Sequence, residues 1–172
     1  MIEINNLASQ SVRLAVENVL NEGGPFGCII VRNGEIIATG VNRVTFDNDP
    51  TAHAEVMAIR AACTKLNTYQ LDDCDLITSC EPCPMCMGAA YWARVKAVYY
   101  VATKADAASA GFDDSFIYEE MEVPHHNRKI PFIRVELNEN SAPFEAWLKK
   151  ENKNSIENIL PLELEIKVSS PD

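Results

Sequence analysis

Two short stretches, His53-Ala54-Glu55 and Pro82-Cys83-Pro84-Met85-Cys86, constrain this chain more than anything else in it. Each opens a run of apolar residues at helical spacing. Each therefore sits where a helix's first backbone N–H groups lack partners and the positive end of the dipole favours anions. A Cys-x-x-Cys pair taken alone leaves three readings open: metal ligands, redox thiols or simple core packing. With His-x-Glu upstream and proline before the first cysteine, the metal reading gains. One imidazole and two thiolates on two rigid helix starts leave a fourth position for water, the arrangement of a catalytic zinc site. Glu55, two residues past His53, keeps a free carboxylate to move that water's proton.

The surrounding pattern supplies a scaffold. Leu7, Val12, Val16, Val19 and Leu20 recur at helical spacing and end at Gly23-Gly24. Two apolar runs flank Asn33-Gly34, the pair suited to a type I′ hairpin turn. The run "TAHAEVMAIRAACTKL" predicts a helix of small residues with Thr51 as its N-cap. "DLITS" predicts a strand, "PCPMCMGAAYWAR" a helix begun by prolines, and "AVYYVA" a parallel strand reached by a right-handed crossover. "FIRVEL" reads as a final strand and "APFEAWLKKE" as a helix, while Leu162, Leu164, Ile166 and Val168 alternate as an edge strand would. The expected fold is α/β: a three-layer αβα sandwich around a mixed sheet of about five strands. One domain is expected over residues 1–153, with 154–172 as a C-terminal extension.

Composition narrows the function. Fifteen Lys and Arg against 25 Asp and Glu give a net charge of −10, which disfavours a phosphate backbone as partner. Lys149, Lys150 and Lys153 form the densest cationic group and are interleaved with Glu151. No signal-peptide pattern or membrane-length apolar run is present, so a soluble, cytoplasmic protein with no membrane partner is expected. In a reducing compartment six cysteines are not disulfides first. Cys80 creates a Cys-x-x-Cys-x-x-Cys run, yet no suitably spaced fourth cysteine follows, and it is assigned to structure. Cys28, Cys63 and Cys74 are read as inert thiols, and His125 and His126 as solvated loop residues.

"HAE" with "PCPMC" resembles the signature of the cytidine deaminase-like zinc enzymes. "GGPFG", "NDPTAHAEVMAIRAAC", "TSCEPCPMCMGAAYWAR", "AGFDDSFIYEE" and "PFEAW" resemble their bacterial guanine deaminase branch over residues 11 to 153. That resemblance implies one Zn²⁺ per chain held by His53, Cys83 and Cys86, and hydrolysis of guanine to xanthine and ammonia. Water activated by zinc would attack C2 while Glu55 moves protons. Asp114 would assist departure of the amine, although "DDS" ahead of a helical run reads equally as a helix cap. Asn42 matches the asparagine that reads the base, where a turn role is the ordinary alternative. The backbone N–H of Ala54 would bind substrate, Phe26 would cover the base and Trp92 would wall the pocket, although either aromatic reads equally as core.

The resemblance also implies a homodimer that exchanges C-terminal segments, closing each site with an aromatic from the partner. This sequence departs there: Ile156 stands near the aromatic position and the chain runs on past it. The alternative enzyme is a tRNA-specific adenosine deaminase, opposed by the acidic charge, or another nucleobase or nucleoside deaminase of the same fold. A zinc module without activity is opposed by Glu55, which the metal does not need.

Overall fold

Asn33 and Gly34 adopt positive φ, 52° and 82°, and turn the chain between β1 (Gly27–Arg32) and β2 (Glu35–Val41), as a two-residue hairpin requires. The computed structural model describes residues 4–151. The chain divides into two compact units, Met1–Val123 and Pro124–Asp172. The edge strand expected over 162–168 lies outside the described residues, as does Ile156.

In the first unit β1 pairs antiparallel with β2 and with β3 (Cys74–Cys80), and β3 pairs parallel with β4 (Ala97–Ala102). The order is β2-β1-β3-β4, a mixed sheet of four strands. Side-chain alternation divides the core between its two faces. Ile29 and Val31 pack with Leu7 of α1 (Ile4–Leu20) and with Ile77. Cys28 and Ile30 pack with Leu76, with Ala54, Ala58 and Ala62 of α3 (Ala54–Leu66), and with Ala90 and Ala93 of α4 (Pro84–Ala93). A short α2 (Val44–Asp47) precedes α3. Helices therefore cover both faces, as expected. Ile29, Ile30, Leu76 and Ile77 are wholly buried, each worth about 1.5–3 kcal/mol of transfer free energy, so the two central strands anchor the unit.

Small residues set how closely α3 approaches. A Cβ on Gly40 of β2 would collide with the Ala54 carbonyl and the Ala58 backbone nitrogen, so helix and strand meet backbone to backbone. Thr51 does not cap α3. Its N–H and hydroxyl both donate to Asp49 Oδ1, at 2.8 and 2.7 Å, and the helix begins two residues later than a Thr51 cap would start it, with His53 as N-cap. After β4 the unit continues through α5 (Lys104–Ser109) and α6 (Ser115–Glu122).

In the second unit "APFEAWLKKE" forms α7 (Ala142–Lys149), as expected. "FIRVEL" does not form a strand: residues 132–137 belong to no ladder among the described residues. Alternating apolar residues supply strand propensity but not a partner, and Ile133 is 80% exposed and Val135 71%. The sheet accordingly has four strands among the described residues where about five were expected.

Candidate active site

His53 and Cys83 occupy equivalent places, the N-caps of α3 and α4, both in extended backbone (φ −72°, ψ 155° and φ −66°, ψ 168°). His53 makes no capping bond; its Nδ1 instead faces both sulfurs, 3.6 Å from Cys83 Sγ and 3.5 Å from Cys86 Sγ. Pro84 opens α4 where no N–H is needed and leaves Cys86 on its first turn. The three ligand atoms lie within 4.8 Å of one another, and among the described residues no fourth His, Cys, Asp or Glu joins the group. One nitrogen and two sulfurs at this spacing fit a tetrahedral zinc with one position left to water.

The two thiols differ sharply in proton affinity. Cys83 is pulled down to about 4, first by the neighbouring Cys86 side chain, then by His53 and the Cys86 backbone N–H. Cys86 is pushed upward, first by Cys83 and then by burial. His53 is raised, first by its bond to Cys83.

Glu55, second residue of α3, is 5% exposed. Its Oε1 accepts from the Thr78 hydroxyl at 3.0 Å and its Oε2 from the Cys86 thiol at 3.3 Å. Burial raises its pKa, opposed by its own backbone N–H, Cys86 and Thr78. A carboxyl so raised moves toward the range in which it can both take and return a proton. The parity of β3 explains Thr78: it shares the α3-facing side of the strand with Leu76 and lies directly beneath the start of that helix.

A cleft of about 250 Å³ opens over these groups, lined by Phe26, Asn42, His53, Glu55, Cys83, Cys86 and Asp114 among others. Asp114 is the N-cap of α6, yet its side chain makes no capping bond; Asp113 Oδ1 accepts from the Ser115 N–H at 2.9 Å instead. The capping role falls to Asp113, and Asp114 is left to the cleft. Its carboxyl is raised by burial and then by Cys83. Asn42 follows β2, with its Oδ1 3.3 Å from the Val44 N–H.

Ala54 is fully buried as the first residue of α3, where its N–H has no acceptor within the helix. Trp92 is not brought to the cleft: it is 64% exposed on α4 and absent from the lining, because the helix turns it away from the ligand-bearing end. Sequence reasoning passed over Thr78 and Phe112. The ring of Phe112 meets Phe26 edge-on, centroids 5.1 Å apart, giving the cleft an aromatic corner suited to a flat ring. Its signal was its place two residues before Asp114 in "GFDDSF". Cys80 lines the cleft wall but stays outside the ligand group; its thiol donates to the Thr103 carbonyl at 3.6 Å.

This fold and this ligand set define a class of zinc-dependent deaminases. Residues 1–102 match the family described as the cytidine and deoxycytidylate deaminase zinc-binding region, and the chain belongs to that family. Guanine deaminase of Bacillus subtilis strain 168 is 61% identical over 145 residues, covering 84% of this chain and 93% of that protein. A tRNA-specific adenosine deaminase of Aquifex aeolicus is 36% identical over 132 residues, covering 77% of this chain and 85% of that one. The X-ray structure of guanine deaminase from Bacillus subtilis superposes with a TM-score of 0.89 at 57% identity, covering 90% of this chain and 99% of that one.

Proposed function

We propose that this chain hydrolyses guanine to xanthine and ammonia as a zinc-dependent aminohydrolase. The observation that carries the reading is the buried Glu55 carboxylate beside, but outside, the His53-Cys83-Cys86 group at the floor of a small cleft. When bound by those three residues, zinc supplies activated water by lowering its pKa.

The rest of the chemistry belongs to the chain. Glu55, fixed by Thr78, takes a proton from the attacking water and passes it to the ring nitrogen beside C2, which ends aromaticity at that carbon. Addition leaves C2 bearing both a hydroxyl and the amine. Asp114, free of capping, relays the second water proton from that hydroxyl to the amine, whose C–N bond breaks as ammonia leaves and the C2 carbonyl forms. The Asn42 amide offers both a donor and an acceptor to the purine edge, and Phe26 with Phe112 covers the ring. The Ala54 N–H adds a donor at the buried end of α3.

Size and charge favour a free base over a polynucleotide. The cleft, at about 250 Å³, falls below the roughly 300–1,000 Å³ typical of drug-sized sites, and the chain carries a net charge of −10. Metal-loaded protein incubated with guanine, guanosine, adenine, cytosine and a tRNA substrate should release ammonia fastest from guanine. Inosine formation in the tRNA with guanine untouched would overturn the assignment.

The partner reading is a homodimer. β4 pairs on one side only among the described residues and exposes Val98, Tyr99, Tyr100 and Val101. Residues 132–137 pair with no strand among the described residues and expose Phe132, Ile133, Val135 and Leu137. Apolar surface left open in both units is surface a second copy can cover, and exchange of C-terminal segments is the form expected. Light scattering should return twice the 19.1 kDa chain mass, and a monomer at micromolar concentration would remove the dimer from the account. A reducing, cytoplasmic setting suits six free thiols, and among the described residues no helix is long and apolar enough to cross a membrane.

A further inference from the structure

Asn18, near the end of α1, has no place in the chemistry above, yet its side chain reaches the two segments that present the base-binding residues. Its Nδ2 donates to the Gly24 carbonyl at 2.8 Å and to the Asn42 carbonyl at 2.8 Å. Those carbonyls bracket a short relay: the Phe26 N–H donates to Gly24 O at 2.8 Å, and the Asn42 N–H to Phe26 O at 3.1 Å. One amide thus uses both of its hydrogens to tie the loop carrying Phe26 to the strand end carrying Asn42.

The local sequence is shaped around this tie. A Cβ on Gly23 would collide with the Asn18 amide. A Cβ on Gly24 would stand 2.9 Å from both Cγ and Oδ1 of Asn42, closer than side chains pack. The Gly23-Gly24 pair therefore does more than stop α1: it gives Asn18 its space and lets the Asn42 side chain lie against bare backbone.

We infer that Asn18 is a positioning residue for substrate: by clamping the Gly24 and Asn42 carbonyls, it sets the Asn42 amide and the Phe26 ring where a purine is read and covered. The inference rests on the guanine reading of the site. Asn18 lies on a different helix from the groups that move protons, so its effect falls on binding of the base more than on turnover.

The test compares the wild-type chain with Asn18→Asp, Gly24→Ala, Asn42→Ala and the double variant Asn18→Asp/Asn42→Ala, all loaded with zinc. Asn18→Asp keeps the shape but sets acceptors against two carbonyls, and should raise KM for guanine about tenfold, the loss of roughly one net hydrogen bond, with kcat within about threefold. Competitive inhibition by xanthine should weaken by a similar factor. Gly24→Ala, which keeps Asn18 intact, should produce the same pattern by displacing the Asn42 side chain. In the Asn42→Ala background Asn18→Asp should add little, because the group it positions is gone. The inference is overturned if Asn18→Asp leaves KM and xanthine inhibition unchanged, if it lowers kcat and stability together with KM unaltered, or if its effect adds fully to that of Asn42→Ala. Turnover of guanine by the wild-type chain reports separately on the proposed function.

Discussion

Glu55→Gln is expected to keep one zinc per chain while guanine turnover falls by about 10²–10⁴-fold, the range general acid–base catalysis contributes. The amide has the shape of the carboxylate and can still accept from the Thr78 hydroxyl, which now reaches Glu55 Oε1 at 3.0 Å. It cannot carry a proton between water and a ring nitrogen. Because Glu55 lies outside the His53-Cys83-Cys86 group, the metal should remain. Metal analysis alongside ammonia release checks both halves. Loss of zinc in Glu55→Gln would make the carboxylate a ligand and remove it from the proton path; undiminished turnover would dismiss it as the base.

The opposite pattern is expected at the ligands. Cys86→Ala should abolish stoichiometric zinc and bring ammonia release to background, since two remaining donors cannot hold the ion in a tetrahedral site. With only His53 and Cys83 left as donors, excess zinc should recover little activity. Thermal unfolding gives an independent readout. Zinc added to the wild-type chain should raise the midpoint, because the ion binds the folded state across the starts of two helices, whereas Cys86→Ala should show no such rise. Full zinc occupancy in Cys86→Ala would refute the assigned ligand set.

How much was legible beforehand depends on how local each signal is. The hairpin was readable from Asn33-Gly34, since two positive φ angles are a local demand. The helices bearing His53 and Cys83 were readable from small apolar residues at helical spacing and from proline at a helix start. Thr51 misled because a threonine just before a helix is a good cap in isolation, and only Asp49, which takes both its N–H and hydroxyl, diverts it. "FIRVEL" misled for a related reason: strand propensity says nothing about whether a neighbouring edge is present.

Within the site, residue types with distinctive chemistry stood out, and supporting residues did not. His53, Glu55, Cys83 and Cys86 form a pattern legible in one dimension. Thr78 orients Glu55 from a strand 23 positions further along, a relation that exists only once β3 lies beneath α3. Asn18 is equally invisible, since its two acceptors are 6 and 24 positions away. Asp113 and Asp114 are adjacent and chemically identical, and only the geometry before α6 divides the capping bond from the cleft.

The seating of α3 on Gly40 has a consequence for durability. With peptide units in contact and no side chain acting as a spacer, the depth of the helix is fixed by parts that do not rotate, so warming that loosens rotamers elsewhere leaves the distance from His53 to the sheet nearly unaltered. Outer positions of the helix can drift in sequence without retuning that depth, whereas a single methyl at Gly40 would lift one wall of the ion's cradle away from the other.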